Sequence, residues 1–154
     1  MTDRTPLKFA LDIPFVEALG MQLWRFDSGI AEISLEVRPE MLNSWQVAHG
    51  GVVMTLLDVA MAHAARSPGQ KDAPPDQETV GVVTIEMKTS FMRPGQGRLV
   101  AKGRLLKRTP SMAFCEGSVF DAQGELVAHA TGTFKYLKGL PAGGRKIQRP
   151  DASD

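Results

Sequence analysis

The feature that most constrains the fold is the run from Val52 to Ala65, in which every residue except Thr55, Asp58 and His63 is apolar. On a helix these apolar positions fall all round the cylinder instead of along one stripe, and such a helix has to be buried by whatever the rest of the chain can wrap around it. The run is too long and too unalternating for a strand. Gly50–Gly51 opens it and Pro68–Gly69 stops it, so VVMTLLDVAMAHAARS is expected to form one helix of about four to five turns. It falls short of the ~20 predominantly apolar residues of a membrane span and carries Asp58 near its middle, which sets membrane insertion aside.

The wrapping material lies on both sides of the helix. Ala31, Ile33, Leu35 and Val37 alternate with Glu32, Ser34, Glu36 and Arg38, the pattern of a half-buried strand that Pro39 ends. Beyond a loop at 67–78, strands are expected at 79–91, 98–108, 111–121 and 125–137, with DAQGE at 121–125 turning the last two into a hairpin. Pro14 to Leu19, closed by Gly20, reads as a short flanking helix. One buried helix followed by a meander of four strands, with one strand ahead of it, is an α+β pattern in which an antiparallel sheet curls around the helix. The 154-residue length suits one domain. Its expected extent is 13–138, with 1–12 as a flexible lead and the Gly-led, polar 139–154 as a disordered tail.

Composition removes several classes of function. Lys plus Arg is 18 and Asp plus Glu is 17, a formal net charge of +1. The chain therefore lacks the overall positive field of a nucleic-acid or membrane-surface binder. A single cysteine, Cys115, excludes a disulfide framework and any multi-cysteine metal site, and it fits a reducing compartment. The start MTDRTPLKF has no secretory apolar run, so a cytoplasmic location is expected.

Asp58 is the anomaly of the helix, because a carboxylate among apolar neighbours costs several kcal/mol unless it is paired, hydrogen-bonded or neutralised. Either it bonds a neighbouring loop or a wet interface, or it lines a pocket as a base or nucleophile. At the start of the same helix, His49-Gly50-Gly51 offers backbone N–H groups at the positive end of the helix dipole, the outline of an oxyanion site, although the glycines also suit a tight entry into the helix. Gly50 and Asp58 are eight residues apart, roughly 12 Å along the axis, and cannot meet at one substrate atom within one chain. A site using both combines two chains whose helices run antiparallel about a two-fold axis. A homodimer, or a dimer of dimers, is then a condition of activity.

The segment Asn43-Ser44-Trp45-Gln46-Val47-Ala48-His49-Gly50-Gly51, followed by six residues and Asp58, resembles the acyl-CoA thioesterases of the hotdog fold, in particular their PaaI-like (phenylacetic acid degradation) branch. The entry IPFVEALGM, the strand VVTIEMKTSFMRP and the closing GELVAHATGTFKY extend the resemblance over residues 13 to 137. It implies a sheet wrapped around a long central helix, and hydrolysis of an acyl- or aryl-acyl-CoA thioester to the free acid and coenzyme A, with no metal and no cofactor beyond the coenzyme A of the substrate. Asp58 would be the nucleophile or the base that activates water, and the Gly50 N–H would polarise the thioester carbonyl. His49 and Asn43 would hold the carbonyl or the water from the same side, and Thr84 would orient the water. Gly51, Trp45 and Gln46 belong to the substrate side of the loop. The last two depart from the small residue or glycine the family has there, and they either touch substrate or reshape the loop.

Coenzyme A carries phosphates, for which Arg93, Lys107, Arg108 and Ser111 are the candidates, with Arg104 outward on the same strand as Lys107. Two other readings stand beside hydrolysis. Asp58 and His63 match the spacing of the hotdog hydratases, but five helical steps set the two side chains ~140° apart. A non-catalytic acyl-CoA-binding module would need neither a buried Asp58 nor the HGG, and a sensor of DNA would need a basic helix-turn-helix that this chain lacks. His63 reads as a packed or interface residue and His129 as structural. Met54, Met61, Met87, Met92 and Met112 read as core fillers, some of them able to line an adaptable acyl pocket.

Overall fold

In the computed structural model, which describes residues 4–77, 80–139 and 148–149, the apolar run forms the single long helix. In chain order the elements are α1 (Pro14–Ala18), β1 (Gln22–Asp27), β2 (Ile30–Glu36), a 3-10 turn (Pro39–Met41), α2 (Gly50–Arg66), β3 (Gly81–Phe91), β4 (Arg98–Arg108), β5 (Met112–Phe120) and β6 (Leu126–Leu137). Strand β1 has no counterpart in the sequence reading. Its register against β2 shifts between Leu23 and Arg25, and a bulge of that kind erases the period of two by which a strand is recognised. The start of the strand expected at 79, and the ends expected to be disordered at 1–3, 140–147 and 150–154, lie outside the described residues. The lead segment is not loose where it is described, since the Leu7 N–H donates to Leu23 O at 2.7 Å.

The strands form one six-stranded antiparallel sheet in the order β1-β2-β4-β5-β6-β3. The expected meander of four strands is corrected here: β4, β5 and β6 are consecutive neighbours, but β3 pairs with β6, while β4 pairs with β2. Residues 92–97 explain the difference, because they cross the end of the sheet instead of turning back. The Met92 and Arg93 N–H groups donate to Val127 O at 2.8 and 3.2 Å, Gly95 O accepts from Ala48 N at 2.8 Å, and Gly97 O accepts from Val37 N at 2.9 Å. That crossing leaves β3 as an edge strand next to the helix.

Three strand glycines set how closely α2 lies on the sheet. Gly103 of β4 faces Gly117 of β5 across the ladder. A Cβ on Gly103 would overlap the Ala60 carbonyl and stand 2.9 Å from the Met61 N–H nitrogen, and a Cβ on Gly117 or Gly132 would press into Met61 at 3.1 or 3.0 Å. Helix backbone and sheet therefore touch at Ala60 and Met61, both fully buried. Leu56, Leu57 and Ala64 of the helix and Leu23, Ile33, Leu35, Leu99, Val119 and Phe134 of the sheet fill the core around that contact.

One sheet covers one side of the helix. The expectation that α2 is buried all round is corrected by the flank Gly51, Thr55, Asp58 and Ala62, which is exposed or half-buried, as are Thr84 and Ile85 on the adjoining edge strand. Among the described residues no helix is long and apolar enough to cross a membrane. Because the contact at Gly103 is against helix backbone, which cannot swing aside as a side chain can, Gly103→Ala is expected to destabilise the fold by about 3 kcal/mol. Gly97→Ala, where a Cβ meets open space and the cost is only that of an alanine at φ +62, should lose less, about 1 kcal/mol. Chemical denaturation of the two variants checks this.

Candidate active site

Asp58 sits in the middle of the open flank of α2. Thr84 of β3 donates its hydroxyl to Asp58 Oδ1 at 2.6 Å. The expected neighbours are thus brought together by a strand position that the sequence did not suggest, β3 paired with β6 at the sheet edge. Burial pushes the Asp58 carboxyl above the usual aspartate range, and the Thr84 hydrogen bond pulls it back with smaller effect. One carboxylate oxygen is held and the other is left to act.

The second half of the constellation is the entry to α2. His49 is the N-cap, and its Nδ1 accepts from the Gly51 N–H at 2.9 Å. An accepting Nδ1 puts the ring proton of the neutral imidazole on Nε2. Of the two glycine N–H groups, then, only that of Gly50 has no hydrogen-bond partner among the described residues. The first turn holds no acidic residue, so the partial positive charge of the helix start is uncompensated. A Cβ on Gly50 would meet Phe91 Cζ at 3.4 Å, which puts the half-exposed Phe91 ring directly against the glycine. The contact of that ring with the glycine leaves no mark in the spacing of the sequence.

The loop ahead of the helix is fixed by its own hydrogen bonds. Asn43 Oδ1 accepts from the Trp45 and Val47 N–H groups at 2.9 and 3.3 Å, which leaves the Asn43 amide nitrogen as its free end. Gln46 adopts φ +61, the left-handed region that glycine tolerates best. The departure from a glycine here is therefore a local strain in the loop. Trp45, 84% exposed, projects from the turn.

The basic candidates do not form one cluster within a chain. Arg93 lies beside Val127 at one end of the sheet and pairs with Glu125 at 3.3 Å. Lys107 and Arg108 lie opposite Phe114 and Ala113 at the other end, with Ser111 exposed in the following turn. Arg108 is occupied in closing the helix: it stacks 4.0 Å from the Tyr136 ring and donates to Gln70 Oε1 and the Tyr136 hydroxyl at 3.0 and 3.1 Å. Tyr136 and Gln70 in turn donate to Ala65 O at 2.7 and 3.0 Å. Arg104 pairs with Glu116 on the outer face.

His63 is a packed residue, as expected. Its Nδ1 donates to Val59 O at 2.7 Å, Phe9 and Phe26 contact it edge-on, and burial pushes it down to about 4. It does not face Asp58. His129 bonds Ser118 across the strands at 2.8 Å. Of the methionines, Met61 is core, whereas Met92 is half-exposed beside Phe91.

The comparisons with known proteins agree with this fold. A family model described as the thioesterase superfamily matches residues 46–128. Among curated proteins, the chain is 28% identical over 135 residues to the medium/long-chain acyl-CoA thioesterase YigI of Escherichia coli, covering 82% of this chain and 87% of that protein. It is 33% identical over 79 residues to the acyl-coenzyme A thioesterase PaaI of the same organism, covering about half of each. Among solved structures, conserved protein PA5202 of Pseudomonas aeruginosa superposes with a TM-score of 0.73 at 27% identity, over 83% of this chain and 97% of that one.

Two predictions follow from the electrostatics of Asp58. A carboxyl whose folded-state pKa lies above its unfolded value weakens the fold where it is ionised, and that penalty disappears as the pH falls below the unfolded value. Asp58→Asn should thus raise the melting temperature at neutral pH, with the difference shrinking toward about pH 4. Thr84→Val removes the donor that favours the charged form, so the acid limb of any Asp58-dependent activity should move to higher pH. A pH–rate profile of the variant beside the wild type measures the move.

Proposed function

The chain belongs to the thioesterase superfamily, and from that premise we propose that it is an acyl-CoA thioesterase, hydrolysing an acyl- or aryl-acyl-CoA thioester to the free acid and coenzyme A. The observation that carries the reading is the Asp58 carboxylate, half-buried on an open helix flank with one oxygen held by Thr84. A base raised by burial lies closer to the working pH than an ordinary aspartate and takes a proton from water more effectively. In this reading Asp58 Oδ2 draws the proton from a water that attacks the thioester carbon, and the thiolate of coenzyme A leaves. The Gly50 N–H and the Nε2–H of His49 meet the developing oxyanion at the positive end of the helix, with the Asn43 amide nitrogen on the same side.

Gly50 and Asp58 lie too far apart along one helix to share a substrate, so the working unit is a homodimer in which each site takes Asp58 and Thr84 from one chain and His49 and Gly50 from the other. The open flank of α2 and the half-exposed edge strand β3 supply a surface for that pairing. Such an arrangement also brings the Arg93 end of one chain toward the Lys107 and Ser111 end of the other, where the phosphates of coenzyme A find positive charge. Trp45, Gln46, Gly51, Phe91 and Met92 surround the helix entry with apolar and polar surface suited to the acyl group and the pantetheine arm. The match to a medium/long-chain thioesterase over most of the chain supports an apolar acyl group.

Thiol release from a panel of phenylacetyl-, benzoyl-, short- and long-chain acyl-CoAs tests the reading. The wild type should turn over at least one member, and Asp58→Asn should lose ~10²-fold or more in kcat while still binding it. If both proteins bind acyl-CoA equally and neither releases thiol, the chain is a binding module and not a hydrolase.

A further inference from the structure

Behind the C-terminal end of α2 lies a second cavity of about 190 Å³, bounded by Leu11, Phe26, Arg66, Pro68, Gln77 and Arg149. Two of its polar walls are unusual. Arg66 is only 9% exposed. Its hydrogen bond is from Nε to Val80 O at 3.0 Å, and among the described residues no carboxylate pairs with it. Burial and the charge of Arg149 both press its guanidinium toward the neutral form. Gln77 is 8% exposed, and among the described residues neither its amide nitrogen nor its amide oxygen has a hydrogen-bond partner.

A buried amide left unsatisfied costs about 1–3 kcal/mol, and a buried charge without a counter-charge costs several. One group removes the charge penalty and half of the amide's: a carboxylate that accepts from the terminal N–H groups of Arg66 and from the Gln77 amide nitrogen, leaving only Gln77 Oε1 without a donor. Of the remaining walls, Ala10, Leu11, Phe26 and Pro68 are apolar and would face the body of such a molecule, while Arg149 adds a second positive charge to the carboxylate end. An apolar cavity of about 150 Å³ takes up benzene, so this one has room for a single ring or short chain with its carboxyl.

We infer that this cavity is a binding site for a small carboxylic acid with an apolar body, separate from the site at Asp58. The two sites differ in position. Asp58 bonds Thr84 on edge strand β3, whereas the cavity borders Phe26 of β1, the strand at the opposite edge of the sheet. The inference does not depend on the reaction assigned to Asp58, although the acid product of an acyl-CoA thioesterase belongs to the same ligand class.

The test is calorimetric titration of the full chain with benzoate, phenylacetate and sulfate, read together with the side-chain amide signals of Gln77 in proton–nitrogen correlation spectra. The wild type and Asp58→Asn should bind one or both carboxylates at one site per chain, with the Gln77 signals moving on saturation. Gln77→Leu, nearly equal in size, should weaken binding by about tenfold or more without lowering the melting temperature of the ligand-free protein. Gln77→Glu, which supplies Arg66 with a carboxylate of its own, should abolish binding and raise that temperature. The inference is overturned if neither carboxylate saturates, if Gln77→Leu binds like the wild type, if Asp58→Asn loses the binding, or if sulfate binds as well as the carboxylates.

Discussion

A six-stranded sheet can wrap one side of an apolar helix and leaves the other side to be covered by something else. That constraint organises the molecule. Gly103 lets α2 press its backbone against β4, and Gly117 and Gly132 make room on β5 and β6 for the Met61 side chain, which seats Ala60 and Met61 in the core and turns Asp58 toward the uncovered flank. The polar residues of the apolar run divide accordingly: Thr55 and Asp58 lie on the flank and are half-buried, while His63 is packed beneath Phe9 and Phe26. The carboxylate is dry enough to be raised in pKa and open enough to meet a substrate.

The two ends of α2 are built for different tasks. At the C-terminal end the carbonyls of Ala64 and Ala65 are met by Ser67, Gln70 and Tyr136, with Arg108 stacked over the tyrosine. Cation and hydrogen bonds there oppose the negative end of the dipole. At the N-terminal end one N–H is satisfied by His49 and the next, that of Gly50, points outward with no acidic residue in the first turn. A helix start left unsatisfied in this way is a site for negative charge.

Much of this could be read from the residues. The length and uniformity of the apolar run gave α2, strict alternation gave β2, and the DAQGE turn gave the β5–β6 hairpin. Strand order could not be read, because it depends on where residues 92–97 cross the sheet, and that crossing is held by backbone hydrogen bonds to Val127, Ala48 and Val37 that leave no mark in the side-chain pattern. The bulge in β1 hid a strand for a related reason. At the candidate site, the cost of burying Asp58 and the glycines of the helix entry pointed to both halves, and the resemblance to a known family suggested Thr84. The occupation of the Gly51 N–H by His49, the Phe91 ring against Gly50 and the engagement of Arg108 in the helix end are tertiary facts that no spacing encodes. Gln46 departs from the small residue or glycine of the family pattern, and its left-handed φ gives the physical meaning of that departure.

The central claim is that one catalytic site is assembled from two chains, Asp58 from one and the Gly50 N–H from the other. Complementation tests it most directly. Gly50→Pro removes the N–H at a helical position that accepts proline, and the preceding His49, at φ −58 and ψ 138, already has the backbone that a proline requires of its neighbour. Asp58→Asn and Gly50→Pro chains should each be inactive alone. Co-expressed with distinct tags, they should form mixed dimers holding one intact site, restoring about a quarter of wild-type thiol release in a random mixture. Mixed dimers that form and remain inactive would contradict the shared site.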